Sequence, residues 1–323
     1  MTQKKMLAAS ELSKVALACC KIYISDSRNS RALQTIRAVA ESHERAPLLH
    51  EFKDTEYNRV GYTLVGALPS AQKQEAGRGK DAGLSSFSRL PLQIAVLDIV
   101  RAALESLNLE EHCGTHPRVG VVDHICFHPL GSAGLEQAAS LARSVAASIG
   151  SRFKVPTYLY GAAHQQGRAL DSVRRDLGYY RCNSQGQWIG GLSNISSSFS
   201  PDFGPSACLN KRSGMVVVGA SPWVMNYNVP ILSNDLRAAR RIARKVSSRG
   251  GGLPQVQAMA LLHGDDFIEV ACNLLDTAVT SPDIVQTQVS ILAEEEGIAV
   301  RQGYLTGYSE QEVYALACQK IFP

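Results

Sequence analysis

The 323-residue chain contains no CxxC pair, no GxSxG elbow and no GxxxxGK[ST] loop. No apolar run approaches the roughly 20 residues that a bilayer-spanning helix needs. The eight cysteines are scattered, and only Cys19 and Cys20 are neighbours. Scattered thiols in a long chain read as a reduced intracellular protein, not a disulfide scaffold. GRGKDAG (77–83) lacks phosphate-loop spacing, and DFG (202–204) stands without the other kinase signatures. The sequon at Asn194 carries no meaning without secretion, and near the start only six apolar residues separate Lys14 from Lys21. That is short for a signal-peptide core, so a cytoplasmic location is expected. A net charge of +4 is mildly basic. It suits anionic small molecules and falls short of a nucleic-acid footprint, and neither a nucleic-acid nor a membrane partner is expected.

What is present is an ordinary globular composition, 45% hydrophobic and 19% charged, on a chain long enough for two domains. PWVMNYNVPIL (222–232) is rich in β-branched and aromatic residues and predicts a strand. A helix follows, capped by Ser233 or Asn234, with Leu236, Ala239, Ile242 and Val246 as its apolar stripe and Gly250 closing it. Two strands joined near Gly264 come next, then a helix opened by Ser281-Pro282 and ended by Gly297. AVRQGYLTG predicts a last strand, and a capping box from Ser309 to Glu312 opens a final helix. This β-α-β-β-α-β order is the ferredoxin-like pattern. The N-terminal part repeats it less cleanly. Its helix PLQIAVLDIVRAALESLNL places Ile94, Val96, Leu97, Val100 and Ala103 or Leu104 on one side. The fold class expected is therefore α+β, with two βαββαβ modules. A polar loop at 70–86 reads as disordered, and the glycine-bearing segment 182–214 reads as functional.

Half of the eight histidines fall in HCGTHPRVGVVDHICFHPLGS (112–132). His112 and His116 have helical metal-ligand spacing, but Gly114 and Pro117 oppose a helix there. His124, Cys126 and His128 share a strand face, without further ligands at metal spacing, so no metal is expected. His116 is distinct. Pro117 restrains its backbone toward an extended conformation, in a loop that feeds a buried strand. Imidazole titrates near neutrality and suits proton transfer, and Arg118 beside it is a ready carboxylate clamp. The basic band Arg237, Arg240, Arg241, Arg244 and Lys245 reads first as a solvated face, and otherwise as a surface for a polyanionic tail.

The segment THPRVGVVDHICFHP (115–129) resembles the EHPRMGALDVCPFIP motif of the glutamate formiminotransferase family. NRVGYTLVG (58–66), VPTYLYGAA (155–163), PDFGPS (201–206), MNYNVPIL (225–232) and VACNLLD (270–276) follow the same family in the same order. The resemblance implies two ferredoxin-like subdomains, 1–218 and 219–323, enclosing a folate-binding cleft in a homodimer. It also implies transfer of a formimino or formyl group between N5 of tetrahydrofolate and glutamate. By the same resemblance His116 is the catalytic base, and Arg118, Asn58 and Arg59 bind substrate. Folate is expected along Gly204, Pro205, Ser206, Ala207, Cys208, Leu209, Asn210, Lys211, Arg212, Ser213 and Gly214. The chain departs from the family at Thr115, in the CCKIYISDSRN stretch, and at Phe52, where an acidic residue is expected with Glu51 and Asp54 beside it. No cyclodeaminase half is expected within these 323 residues. The alternative reading is a folate-binding or regulatory protein that keeps the cleft without catalysis.

Overall fold

The computed structural model describes residues 15–69, 90–179, 181–182, 188–189, 199–206 and 210–322. The 70–86 loop, most of 182–198 and the predicted folate-binding residues Ala207, Cys208 and Leu209 lie outside the described residues. The protein is α+β and divides into two compact units, Met1–Ser221 with Glu310–Pro323, and Pro222–Ser309.

The first unit runs β1 (Ala16–Ile24), α1 (Ser30–Glu41), β2 (Leu48–Asp54), β3 (Arg59–Ala67), α2 (Pro91–Ser106) and β4 (Val122–Gly131). It continues with α3 (Leu135–Ser148), β5 (Thr157–Gly161), α4 (Leu170–Leu177), the short β6 (Arg181–Cys182) and β7 (Trp188–Ile189), then β8 (Val216–Ala220). One six-stranded sheet has the order β2-β3-β1-β4-β8-β5. Its first four strands are antiparallel neighbours, whereas β8 lies parallel between β4 and β5.

Strand alternation sorts the side chains between the two faces. Ile22, Ile24, Leu64, Ile125, Phe127 and Val218 face α1, α2 and α3 and form the main core. Asn29 caps α1 by accepting from Ala32 N at 3.1 Å, and Pro91 opens α2 at its first turn. Ile94 is a correction to the expected stripe: it is 43% exposed, and Leu92, Ala95 and Ile99 are buried beside Val96 and Val100. The opposite face carries Lys21, Tyr23, His124, Cys126, His128, Tyr158 and Tyr160. Helix α4 covers its β5–β8 side through Val173 and Leu177. Neither α4 nor β8 is among the sequence expectations.

The second unit runs β9 (Met225–Ile231), α5 (Leu236–Val246), β10 (Val256–His263), β11 (Phe267–Leu274), α6 (Pro282–Glu295) and β12 (Tyr304–Leu305). The sheet order is β10-β11-β9-β12, antiparallel throughout, so the element order is the expected β-α-β-β-α-β. The cap of α5 differs from expectation. Asp235, not Ser233 or Asn234, accepts from Arg237 N at 2.8 Å and Ala238 N at 3.1 Å. The last strand shrinks to two residues. Helix α7 (Glu310–Ile321) returns to the first unit, where Lys320 Nζ donates to Leu48 O at 3.0 Å.

Candidate active site

The β2–β3 turn and the loop entering β4 are bound into one assembly. Asp54 Oδ1 accepts from Tyr57 N at 2.7 Å and sets the turn. Asn58 then adopts a left-handed φ of 47°, a conformation asparagine tolerates better than most residues. Its Oδ1 accepts from Ser27 N at 2.7 Å, and its Nδ2 donates to Cys113 O at 3.1 Å. Asn58 is buried and ties three loops together. Arg118, wholly buried, donates from Nη2 to Tyr57 O at 2.8 Å and from Nη1 to Pro117 O at 3.2 Å.

The Pro117 carbonyl is the hub of this loop. It receives Arg174 Nη2 at 3.1 Å as well as Arg118, and His116 Nδ1 approaches it at 2.8 Å. A carbonyl only accepts and a guanidinium only donates, so the Pro117 carbonyl favours a proton on Nδ1 whereas Arg118 Nη1 favours a lone pair there. Nε2 faces Arg59 Nη1 at 3.1 Å, and Arg118 Nη1 lies against Nδ1. The half-buried His116 ring also meets Tyr57 edge-on at 5.6 Å. Burial, then the cations of Arg118, Arg59 and Arg174, push the imidazole well below its ordinary pKa. His116 is a neutral imidazole at physiological pH.

Arg59, the first residue of β3, lies 4.0 Å above the Tyr23 ring, and Tyr23 in turn stacks on His124 at 5.5 Å. The buried Arg59 Nε has no hydrogen-bond partner. His124 Nε2 is held by Tyr160 OH at 2.7 Å. The acid of this cluster is Asp123, which sequence reasoning missed. Its carboxylate accepts from Arg174 at 2.9 and 3.2 Å and from Val119 N at 2.8 Å. Burial alone would raise its pKa, but Arg174, Arg118 and Arg59 outweigh that and hold it at about 2. One buried carboxylate thus stands among three guanidinium groups, and the cluster carries excess positive charge.

The two acids beside Phe52 lie elsewhere. Glu51 registers with Tyr62 on the helix side, 3.6 Å from Arg37, and Asp54 is engaged in the turn. Phe52 registers with Gly61, whose other neighbour across the sheet is Tyr23.

The PDFGPS segment joins the same end of the sheet. His124, Val217 and Tyr158 are in register across β4, β8 and β5, and Phe203 O accepts from Thr157 N at 2.9 Å. Asp202 binds Leu159 N at 2.7 Å and pairs with Arg168, and Phe199 stacks on Tyr158 at 5.3 Å. Gly204 has φ 87°, and a Cβ there would lie 2.6 Å from Val155 O. Farther along, Arg212 N donates to Asn210 Oδ1 at 3.0 Å, and Ser213 N and Gly214 N donate to Asn210 O at 3.1 and 2.8 Å. These N–H groups, expected to face a ligand, are spent within their own turn. Lys211 is exposed, as is Ser206, with Pro205 half-buried. Among the described residues, no three His, Cys, Asp or Glu side chains converge as metal ligands.

With this geometry established, the comparisons place the chain in a class. Residues 17–221 match the formiminotransferase domain, N-terminal subdomain, so the chain belongs to that family. A formiminotransferase cyclodeaminase-like protein of Arabidopsis thaliana is 48% identical over 92% of this chain and 95% of its own length. The glutamate formimidoyltransferase of Thermoplasma acidophilum is 26% identical, covering 80% of this chain and 77% of that protein. The pig formimidoyltransferase-cyclodeaminase is 28% identical over 89% of this chain, which spans only 49% of the pig protein.

Proposed function

We propose that the first unit catalyses one-carbon transfer, moving a formimino or formyl group between N5 of tetrahydrofolate and the amine of glutamate. The observation that carries this reading is the placement of His116: a neutral imidazole held in the loop entering β4, with Nδ1 2.8 Å from Pro117 O and Nε2 directed at Arg59. An amine must lose a proton to become a stable acyl-type product, and a positioned base contributes about 10²- to 10⁴-fold to such a step. In this reading Nε2 takes the proton from the attacking glutamate nitrogen, and the imidazolium returns it to the departing N5.

Arg59 rather than Arg118 serves as the carboxylate clamp, because Arg118 is wholly buried and spent on backbone carbonyls. The unpartnered Nε of Arg59 supports this assignment, since a guanidinium fork offers two parallel donors to a carboxylate. The clamp has a consequence for the base. While Arg59 rests on Nε2 the base is occupied, and a carboxylate that draws the guanidinium away releases it. The half-buried rings of Tyr23 and Phe199, at the edges of the Tyr23–His124 and Tyr158–Phe199 pairs, suit contact with a pterin or its aromatic tail. The same reading takes the protein as a cytoplasmic homodimer that uses folate as a diffusible substrate, without a metal.

The test is a transfer assay with formimino- and formyl-tetrahydrofolate and glutamate, comparing wild type with His116→Ala. Loss of about 10²-fold or more in the variant is expected. Equal turnover in both would remove His116 from the chemistry.

A second reading, folate binding without turnover, has one observation in its favour: Phe52, not an acid, shares the open sheet face with Tyr23, with Gly61 between them. Tight folate binding by calorimetry with no turnover on either donor would select it.

A further inference from the structure

The basic band on α5 divides into two sets. Arg241 binds Glu296 with Nε at 2.8 Å and Nη2 at 2.6 Å, and Lys245 binds Glu295 at 3.0 Å. Both acids stand at the end of α6, so these two cations are neutralised within the unit. Arg240 and Arg244, one turn apart on the other flank of α5, have no acidic or hydrogen-bonding partner among the described residues. A like-charged pair at this spacing weakens a helix by a few tenths of a kcal/mol, so nothing internal rewards the placement. The helix dipole accounts for cations in the last turn, which holds Arg244 and Lys245, but not for Arg240.

Arg249 brings a third cation to the same opening. It lies in the 3-10 turn Ser248–Gly250, inside the run SRGGG. That turn is pressed onto the end of α5: a Cβ at Gly250 would lie 1.8 Å from Arg244 O, and one at Gly252 would lie 2.0 Å from Lys245 O. Gly251 completes the reversal with φ 82°. Only glycine permits this approach, and it fixes Arg249 beside Arg244 and Arg240. Arg240, Arg244 and Arg249 line a groove of about 440 Å³ with no acidic residue in its wall. Its floor is apolar, formed by Ala258, Met259 and Ala260 of the edge strand β10. The volume falls in the range of small-ligand sites.

We propose that this groove binds a small multivalent oxyanion, a compact molecule with clustered phosphate or carboxylate groups, against Arg240, Arg244 and Arg249. Guanidinium forks match both groups geometrically, and three of them around one space favour a ligand with at least two anionic centres. The site is built wholly from the second unit and does not depend on the reading of the first. The apolar floor accepts the uncharged body of the ligand.

The test titrates the full chain with inorganic triphosphate and, separately, with citrate by calorimetry, using wild type, Arg244→Gln and the Arg240→Gln/Arg244→Gln double variant. Saturable one-to-one binding of at least one probe is expected, weakened about tenfold by the single change and about a hundredfold by the double. Binding confined to triphosphate identifies the physiological group as phosphate, and binding confined to citrate identifies a polycarboxylate. Both side chains are exposed, so thermal midpoints of the variants should match wild type and certify their folding. Absence of saturable binding by both probes, or affinities unchanged in the double variant, would overturn the proposal.

Discussion

Arg59 Nη1 sits 3.1 Å from His116 Nε2, so the cation and the base occupy each other before any substrate arrives. Arg59 also lowers the imidazole pKa, behind burial and Arg118. Replacing Arg59 with Gln has two effects of opposite sense. The base loses a depressing neighbour, so the acid limb of the kcat profile moves to higher pH, toward the ordinary imidazole value. The clamp is lost too, and KM for glutamate should rise about tenfold or more. Arg59→Lys keeps the charge but not the fork, so it should restore the pH profile without restoring KM. A profile unmoved by Arg59→Gln would separate the two residues functionally.

Asp123 and Arg174 form the buried ion pair under this loop, at 2.9 Å, each under one-tenth exposed. Asp123→Asn leaves Arg174 and Arg118 buried without a counter-charge and should cost about 3–5 kcal/mol. The carboxyl pKa is depressed to about 2, from 3.8. Its contribution is therefore complete above pH 4 and disappears as the pH falls toward 2. A shift of this size corresponds to about 2 kcal/mol. Urea unfolding of wild type and Asp123→Asn at pH 7 and pH 3 measures both quantities, and equal midpoints at pH 7 would refute the assignment.

Much of this site is legible in the sequence because its signals are local. Pro117 beside His116 marks a restrained imidazole, and Asn58-Arg59 heads a recognisable strand. The parts that escape reading depend on distant partners. Asp123 is a single acid inside the apolar run GVVDHICF, and only its pairing with Arg174, 51 positions away, shows its role. Arg174 rides on α4, eight residues with an apolar face too short to stand out. Strand β8 is a five-residue apolar run, and periodicity alone does not distinguish a buried strand from a helix segment. Ile94 fits the helical period of α2 yet faces out, because the stripe that packs is centred on Val96 and Val100. The register of Glu51, which sends it to the helix side, is set by pairing with β3 and is invisible in a single strand.

His112 predicts an acid sensitivity well above the carboxylate range. It is buried, its Nδ1 lies 2.6 Å from Ser25 O, and burial followed by Arg118 lowers its pKa to about 3 from 6.5. The folded state binds fewer protons than the unfolded chain across that interval, so stability falls as the pH drops from 6.5 toward 3. The full effect of this one residue is about 5 kcal/mol. The urea midpoint of wild type should decline between pH 7 and pH 5, and His112→Gln should flatten that decline. Parallel pH curves for the two proteins would exclude His112 as its source.

Phe52 provides the sharpest test of how the open face is tuned. Sheet register puts position 52 opposite Gly61, with Gly61 between it and Tyr23, on the face that carries Arg59 and His124. A carboxylate introduced there opposes the three cations that depress His116 and offers Arg59 a competing partner. Phe52→Asp should therefore raise the imidazole pKa of His116, visible as a shift of its ring resonances to a higher titration midpoint by NMR. Turnover near neutral pH should rise with it, because Nε2 is released and becomes a stronger base. Loss of the half-buried phenyl ring should lower stability by about 1–2 kcal/mol, a cost read separately in urea. An unchanged His116 titration in a folded Phe52→Asp protein would show that position 52 does not act on the base electrostatically.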